Sequence, residues 1–301
     1  MRRSSWAPGV AAVLLSCACA SPPGAPVAAP ATRAVAVNGV SLVYESQGTG
    51  RPVVFVHGAF ADHRIWEAQR SAVTPPHRFV ALTLRYFGKQ PWPDQGEQFS
   101  QETHVQDLAA FLRTLDGGPA VLVGRSYGAY TALVVALRHP ELVRGLVLNE
   151  PPVASLLTAA AERAALAEAG QAMAPVRAAV QAGRHEEATR LFADWTNAEP
   201  GGFAALPVET QRMHLDNART VPLQLGTRNI AVTCEQLQRL AMPIVVTKGA
   251  LSRANFRLAA DAVHRCAAHS QLVDIAGARH GAPSQTPAEF NDVLVRFLAR
   301  L

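Results

Sequence analysis

The stretch Gly124-Arg125-Ser126-Tyr127-Gly128 follows the apolar run "AVLVG" (120–124) and leads into the helical pattern "AYTALVVALRH" (129–139). A G-x-S-x-G between a buried strand and a helix makes a turn so tight that its serine takes a strained backbone conformation, and the strain holds the hydroxyl clear of the sheet. Ser126 is the candidate nucleophile. A serine hydroxyl needs a base. Of ten histidines, His280 in "IAGARHGAP" stands after the last strand and before the last helix, on a loop returning to the sheet edge that carries Ser126. The others fit plainer roles at helix ends, in helices or on loops. None falls in a metal-ligand spacing such as H-E-x-x-H, so the reading calls for no metal and no cofactor. Acyl transfer also needs donors for the developing oxyanion. The backbone N–H of Tyr127, at the helix N-terminus, is one. The Ala59 N–H, in the loop "HGAFADHRIW" after the strand "PVVFVH" (52–57), is the other, with His57 expected to brace that loop. Glu150 ends the run "LVRGLVLN" and precedes Pro151 and Pro152. It is either a polar residue at a strand exit or the acid that orients His280.

These groups need a scaffold that brings strand exits to one edge. Asn38-Gly39 between two alternating runs predicts a hairpin. Apolar strands at 52–57, 78–84, 120–124, 144–149, 242–249 and 270–277 alternate with helices through 65–73, 104–115, 129–139, 256–269 and 290–301. Continuous apolar strands separated by helices predict an α/β fold with a mostly parallel sheet covered on both faces. From 153 to 232 no strand is expected, and Ala-rich helical patterns such as "LLTAAAERAALAEAGQAMAPVRAAVQAG" take over. An all-helical insertion in this rhythm reads as a cap over the C-terminal edge of the sheet, where ligands bind in open α/β sheets. The core is thus expected over 34–152 and 233–301, with the cap at 153–232.

The chain of 301 residues is 49% hydrophobic and 17% charged, which permits a large core. Lys89 and Lys248 are the only lysines and no dense basic run occurs despite a net charge of +5, so no nucleic-acid partner is expected. Residues 1–20 read as a signal peptide: Arg2 and Arg3, an apolar stretch from Val10 to Leu15, then small residues. Ala18-Cys19-Ala20 offers cleavage before Ser21. Leu14-Leu15-Ser16-Cys17 offers a lipobox with Cys17 as a lipid anchor. Both mean export, to the periplasm or beyond. Residues 21–33 are Pro/Ala-rich and read as a tether. Cys234 and Cys266, the two cysteines beyond the leader, either pair or stay separate thiols.

"VHGAFADHRIW" (56–66), "GRSYGA" (124–129), "LVLNEPP" (146–152), "MPIVVTKG" (242–249) and "IAGARHGAP" come in the order of the α/β-hydrolase superfamily, which the sequence resembles over nearly all of the chain beyond the leader. The resemblance implies an α/β-hydrolase fold with a lid between the sixth and seventh strands, and Ser–His–acid esterase, lipase, lactonase or amidase chemistry. Two stretches depart from it. The Asp-x-Arg-Gly often found after the fourth strand is replaced by Thr83-Leu84-Arg85-Tyr86. The usual acid after the seventh strand is missing: "KGALSRANF" places Ser252 there. Haloalkane dehalogenases and zearalenone-type lactonases of the same superfamily carry the acid after the sixth strand, where Glu150 stands. The triad expected is Ser126, His280 and Glu150.

Phe192, Trp195, Phe203, Met213 and His214 either line the cap or pack its helices together. Trp66, Tyr86, Phe87 and Trp92 are expected near the entrance. A site so lined would be apolar with few charges and take a small uncharged ester or lactone. Two other readings share the fold: a ligand-binding receptor-like protein with little or no turnover, and cofactor-free peroxide chemistry.

Overall fold

A computed structural model describes residues 31–267 and 269–301. The leader, its two cleavage sites, Cys17 and residues 21–30 of the expected tether lie outside the described residues. Eight strands form one sheet: β1 (Ala31–Val37), β2 (Val40–Gln47), β3 (Pro52–Val56), β4 (Arg78–Leu82), β5 (Ala120–Arg125), β6 (Val143–Asn149), β7 (Ile244–Gly249) and β8 (Gln271–Ile275). Their order across the sheet is β1-β2-β4-β3-β5-β6-β7-β8. β1 and β2 pair antiparallel, β2 pairs antiparallel with β4, and every pair from β4 to β8 is parallel. This is the α/β architecture expected.

The hairpin forms at Asn38-Gly39, both with positive φ (48° and 77°), as its tight turn requires. Its register corrects the tether boundary. Ala31, Thr32 and Arg33 pair with Ser46, Glu45 and Tyr44, so residues 31–33 of the expected tether are part of the sheet. The turn fixes the pairing, and β2 is long enough to extend it.

Twelve α-helices are described: α1 (Arg70–Val73), α2 (Gln101–Arg113), α3 (Tyr127–Arg138), α4 (Ala160–Ala172), α5 (Ala174–Gln181), α6 (His185–Asn197), α7 (Val208–Asp216), α8 (Val221–Gly226), α9 (Cys234–Gln238), α10 (Ala254–Cys266), α11 (Ala282–Gln285) and α12 (Pro287–Leu298). The inner strands β3 to β7 are mostly apolar and buried because both faces are covered. Val54, Val56, Val80, Leu82 and Leu122 pack under α2, α3 and α10. The alternate residues Val53, Phe55, Phe79, Ala81, Val121 and Val123 pack with Trp66, Val73 of α1 and Phe290 of α12. The expected helix through 65–73 is split. His63–Gln69 is a 3-10 turn capped by the Asp62 carboxylate, and only the last four residues are α-helical.

Between β6 and β7 the described chain is helical, from α4 to α8. This insertion has a small core of its own: Met173, Val176, Ala179, Ala188 and Val221 close around Phe60, which projects from the loop after β3. Ile230 and Val232 return the chain to the sheet domain, where the Ile230 carbonyl accepts from the Tyr130 hydroxyl. Cys234 of α9 and Cys266 of α10 are joined by a disulfide.

Candidate active site

The parallel strands β3, β5, β6, β7 and β8 deliver their C-terminal ends to one edge, and the helical insertion covers it. Ser126 leaves β5 with φ 52° and ψ −120° and starts α3. Close approach makes this turn possible. A Cβ on Gly124 would lie 2.4 Å from Ala129 Cα, and one on Gly128 would lie 2.2 Å from the His57 carbonyl oxygen. No real side chain fits at either place, so the two glycines let α3 cross β5 and β3.

Glu150 also has positive φ, 45°, at the exit of β6, and is fully buried. Its Oε1 accepts the Gly249 N–H at 2.8 Å. Its Oε2 lies 2.5 Å from His280 Nδ1. A carboxylate only accepts, so Nδ1 carries the proton and neutral His280 keeps Nε2 as an acceptor. β7 therefore contributes the Gly249 backbone N–H, and β6 contributes the carboxylate. The His280 loop is tied down beside it: Asn149 Nδ2 donates to the His280 carbonyl at 3.2 Å, and Thr247 Oγ1 donates to Asn149 Oδ1 at 3.1 Å. Burial lowers the His280 pKa below its ordinary 6.5, with Glu150 opposing and Arg125 assisting the shift.

Ser126 and His280 line one cavity together with Gly58, Ala59, Phe60 and Arg125 from the sheet domain and Phe192, Asn197 and His214 from the insertion. The space open to the centres of water molecules is about 40 Å³, against roughly 10–15 Å³ for one water. The site as it stands holds a few waters or a small acyl chain. Ala59 is on the cavity wall, and the Tyr127 N–H is the first of α3, without an intrahelical acceptor. The Tyr127 side chain points away, its hydroxyl 2.7 Å from His104 Nδ1. His57 braces the loop with both nitrogens: Nδ1–H donates to the Gly58 carbonyl at 2.8 Å and Nε2 accepts the Leu84 N–H at 3.0 Å. Burial lowers its pKa to about 4.

Two features were not expected, the stacking of Phe256 and the placement of Arg125, and His214 takes one of the two positions expected of it. Phe256 of α10 stacks on His280, ring centroids 3.8 Å apart at 20°, and Trp195 of α6 packs edge-on against Phe256. The insertion thus reaches the histidine through two aromatic rings. His214 donates from Nδ1 to the Phe60 carbonyl at 2.7 Å, which leaves its Nε2 as an acceptor on the cavity side. Burial, then Arg125, lower its pKa to about 4. Arg125 lines the cavity beside Ser126, where burial presses its guanidinium down to about 10 and Glu150 opposes.

The expected apolar lining is corrected: Thr189, Thr196, Asn197, Ser284 and Gln285 join Arg125 and His214 on the wall, and Arg125 is the one formal charge among the described lining residues. The aromatic entrance is corrected too. Trp66 packs on Phe55 and Phe290 in the core, and Tyr86 and Phe87 are buried around Phe99. Trp92 packs on Tyr86 under the Arg219 guanidinium. Large rings near a sheet edge find more area to bury beneath the loops than at a cavity mouth. Of the insertion residues singled out, Phe192 and His214 reach the cavity, Met213 joins the core, and Phe203 lies under the Arg190 guanidinium. In the rebuilt loop after β4, Arg85 forks onto the buried Asp107, Nε to Oδ2 at 2.7 Å and Nη2 to Oδ1 at 2.8 Å.

The family model described as alpha/beta hydrolase fold matches residues 51–280. The protein belongs to the α/β-hydrolase fold family. Among its relatives is the 2-hydroxy-6-oxo-6-(2'-aminophenyl)hexa-2,4-dienoic acid hydrolase of Metapseudomonas resinovorans, 32% identical over 120 residues, which are 38% of this chain and 41% of the relative. The chain spans about two fifths of the length of the first curated relatives it matches. Among solved structures, carboxylesterase CesB from Bacillus subtilis superposes with a TM-score of 0.72 at 15% identity, over 90% of this chain and 92% of that one. A bromoperoxidase from Bacillus anthracis superposes with a TM-score of 0.70 at 20% identity, over 89% and 100%. Likenesses at these identities show the shared fold.

Proposed function

We propose that the protein is an exported serine hydrolase that cleaves a carboxylic ester or lactone through an acyl-enzyme on Ser126. The observation that carries this reading is the buried Glu150–His280 contact beside a serine held at φ 52° in the same cavity. In this scheme His280 Nε2 takes the Ser126 proton as Oγ attacks the carbonyl carbon. Glu150 keeps the proton on Nδ1 and stabilises the imidazolium that forms. The Tyr127 and Ala59 N–H groups receive the oxyanion. His280 then protonates the leaving alcohol, and water, deprotonated by the same nitrogen, releases the acid. No metal or cofactor enters these steps.

The leader's residue pattern supports export, as does the disulfide, a bond that persists in oxidising compartments. For anchoring through Cys17, the expected outcome is release of Cys17→Ala from membranes on fractionation. Unchanged fractionation favours cleavage before Ser21.

The test of the chemistry is a fluorophosphonate probe with mapping of the labelled residue, for wild type and Ser126→Ala. Rapid labelling at Ser126, absent in the variant, is expected. A wild type that does not label sinks the reading and leaves a ligand-binding role on the same fold.

A further inference from the structure

Among the described residues, the two buried arginines, Arg70 and Arg85, and the half-buried Arg64 have carboxylate partners. Arg85 is forked on Asp107, Arg70 meets Glu45 and Glu67, and Arg64 meets Asp62 and Asp216. Arg125 does not follow them. It is half-buried, it lines the cavity next to the proposed nucleophile, and its guanidinium makes no hydrogen bond or ion pair with any described residue, although its backbone pairs in the sheet. The nearest source of negative charge is Glu150, whose two oxygens are already engaged by Gly249 and His280. A guanidinium removed from bulk water without a counter-ion is costly, and an anion that enters beside it offsets that cost. Its planar fork of N–H donors fits a carboxylate through two parallel hydrogen bonds.

Resting on the serine-hydrolase reading, we propose that Arg125 selects substrates whose acyl portion carries a carboxylate, such as half-esters of short dicarboxylic acids. The acyl portion is the relevant one because it stays on Ser126 Oγ after the alcohol leaves, and Arg125 is the residue next in the chain. The narrow cavity favours a short chain between the two carbonyl carbons. His214 Nε2 is an acceptor on the same wall, so it does not compete for the anion. This reading replaces the uncharged substrate expected from an apolar lining.

The test compares kcat/KM for mono-4-nitrophenyl glutarate with that for its neutral counterpart, 4-nitrophenyl methyl glutarate, after subtraction of the enzyme-free rates. Wild type, Arg125→Met and Arg125→Lys are measured, each with fluorophosphonate labelling alongside. Wild type should prefer the anionic ester. The anionic-to-neutral ratio should fall about tenfold or more in Arg125→Met, the range for losing a charged hydrogen bond, and recover in part in Arg125→Lys. A wild type that prefers the neutral diester overturns the proposal whatever the variants do. So does a ratio within about twofold of wild type in a labelling-competent Arg125→Met. A wild type that neither labels nor turns over either ester overturns the hydrolase reading and this one with it.

Discussion

Glu150→Gln tests the acid with almost no change of shape. The glutamate is fully buried and both its oxygens accept, one from Gly249 N–H at 2.8 Å and one at His280 Nδ1 at 2.5 Å. A glutamine has one acceptor and one donor end. If its NH₂ faces Gly249, two donors meet and a buried N–H loses its partner, at about 1–3 kcal/mol of stability. If its NH₂ faces His280, Nδ1 must become the acceptor, Nε2 takes the proton, and the ring can no longer receive the Ser126 hydroxyl hydrogen. In either orientation the imidazolium formed during attack loses its counter-charge. The corresponding change in the serine-protease triad costs about 10⁴ in kcat, or about 5 kcal/mol of barrier at 1.36 kcal/mol per decade. We expect a fall of about 10³–10⁴ in the second-order rate of fluorophosphonate labelling at Ser126, with the protein still folded by circular dichroism. A fall of less than about tenfold refutes the assignment and returns Glu150 to a polar residue at a strand exit.

Because His280 must be neutral to accept the serine proton and burial lowers its pKa, the acid limb of kcat/KM should lie below pH 6.5; a limb above that value contradicts it. Arg125 adds to that lowering, so Arg125→Met should move the limb upward. Gly128→Ala should cost more than about 3 kcal/mol or abolish folding, since its Cβ would sit 2.2 Å from the His57 carbonyl oxygen. Gly170→Ala, exposed in α4 with nothing within 4 Å of the new methyl, should stabilise by about 0.5–1 kcal/mol in thermal or urea unfolding. Non-reducing peptide mapping should recover Cys234 linked to Cys266. Removing both sulfurs should cost about 3–4 kcal/mol for a loop closed over a separation of 32 residues, and recovery of two free thiols would contradict the pairing.

Buried strands and tight turns were legible because their physics is local. β3 to β7 read as unbroken apolar runs since both faces are covered, and Asn38-Gly39 announced its turn through the need for positive φ. α2 starts three residues before the expected position 104, because the Ser100 hydroxyl caps it by accepting from Thr103 N–H, a signal that stands outside the apolar periodicity. Residues that act through distant partners were harder. Glu150 drew attention through the absence of an acid at Ser252, whereas its bond to Gly249, 99 residues on, is a product of β6 and β7 lying side by side. Phe256 carried no signal, since an apolar residue on a helix reads as core. Arg125 stood in full view inside the motif, but a charged residue between a glycine and a serine says nothing by itself of whether it meets a counter-ion. Knowing that its neighbours were all engaged required the packed chain.

The acid at the end of β6 changes how the machinery is divided along the polypeptide. β5, α3 and β6 form one continuous crossover of adjacent parallel strands, with Arg125 in register with Asn149. That single supersecondary unit carries Ser126, the Tyr127 amide, the Arg125 guanidinium and the Glu150 carboxylate, which the proposed mechanism uses as nucleophile, oxyanion donor, anion clamp and acid. All are in place before the chain departs into the helical insertion. The histidine alone must wait for the return. The insertion is therefore a detachable module in a specific sense: exchanging it for one of another length leaves the chain spacing of Ser126 and Glu150 untouched, and reaches His280 through the Trp195–Phe256 contact and through the Glu199–Arg279 and Asn197–Gln285 contacts on the His280 loop.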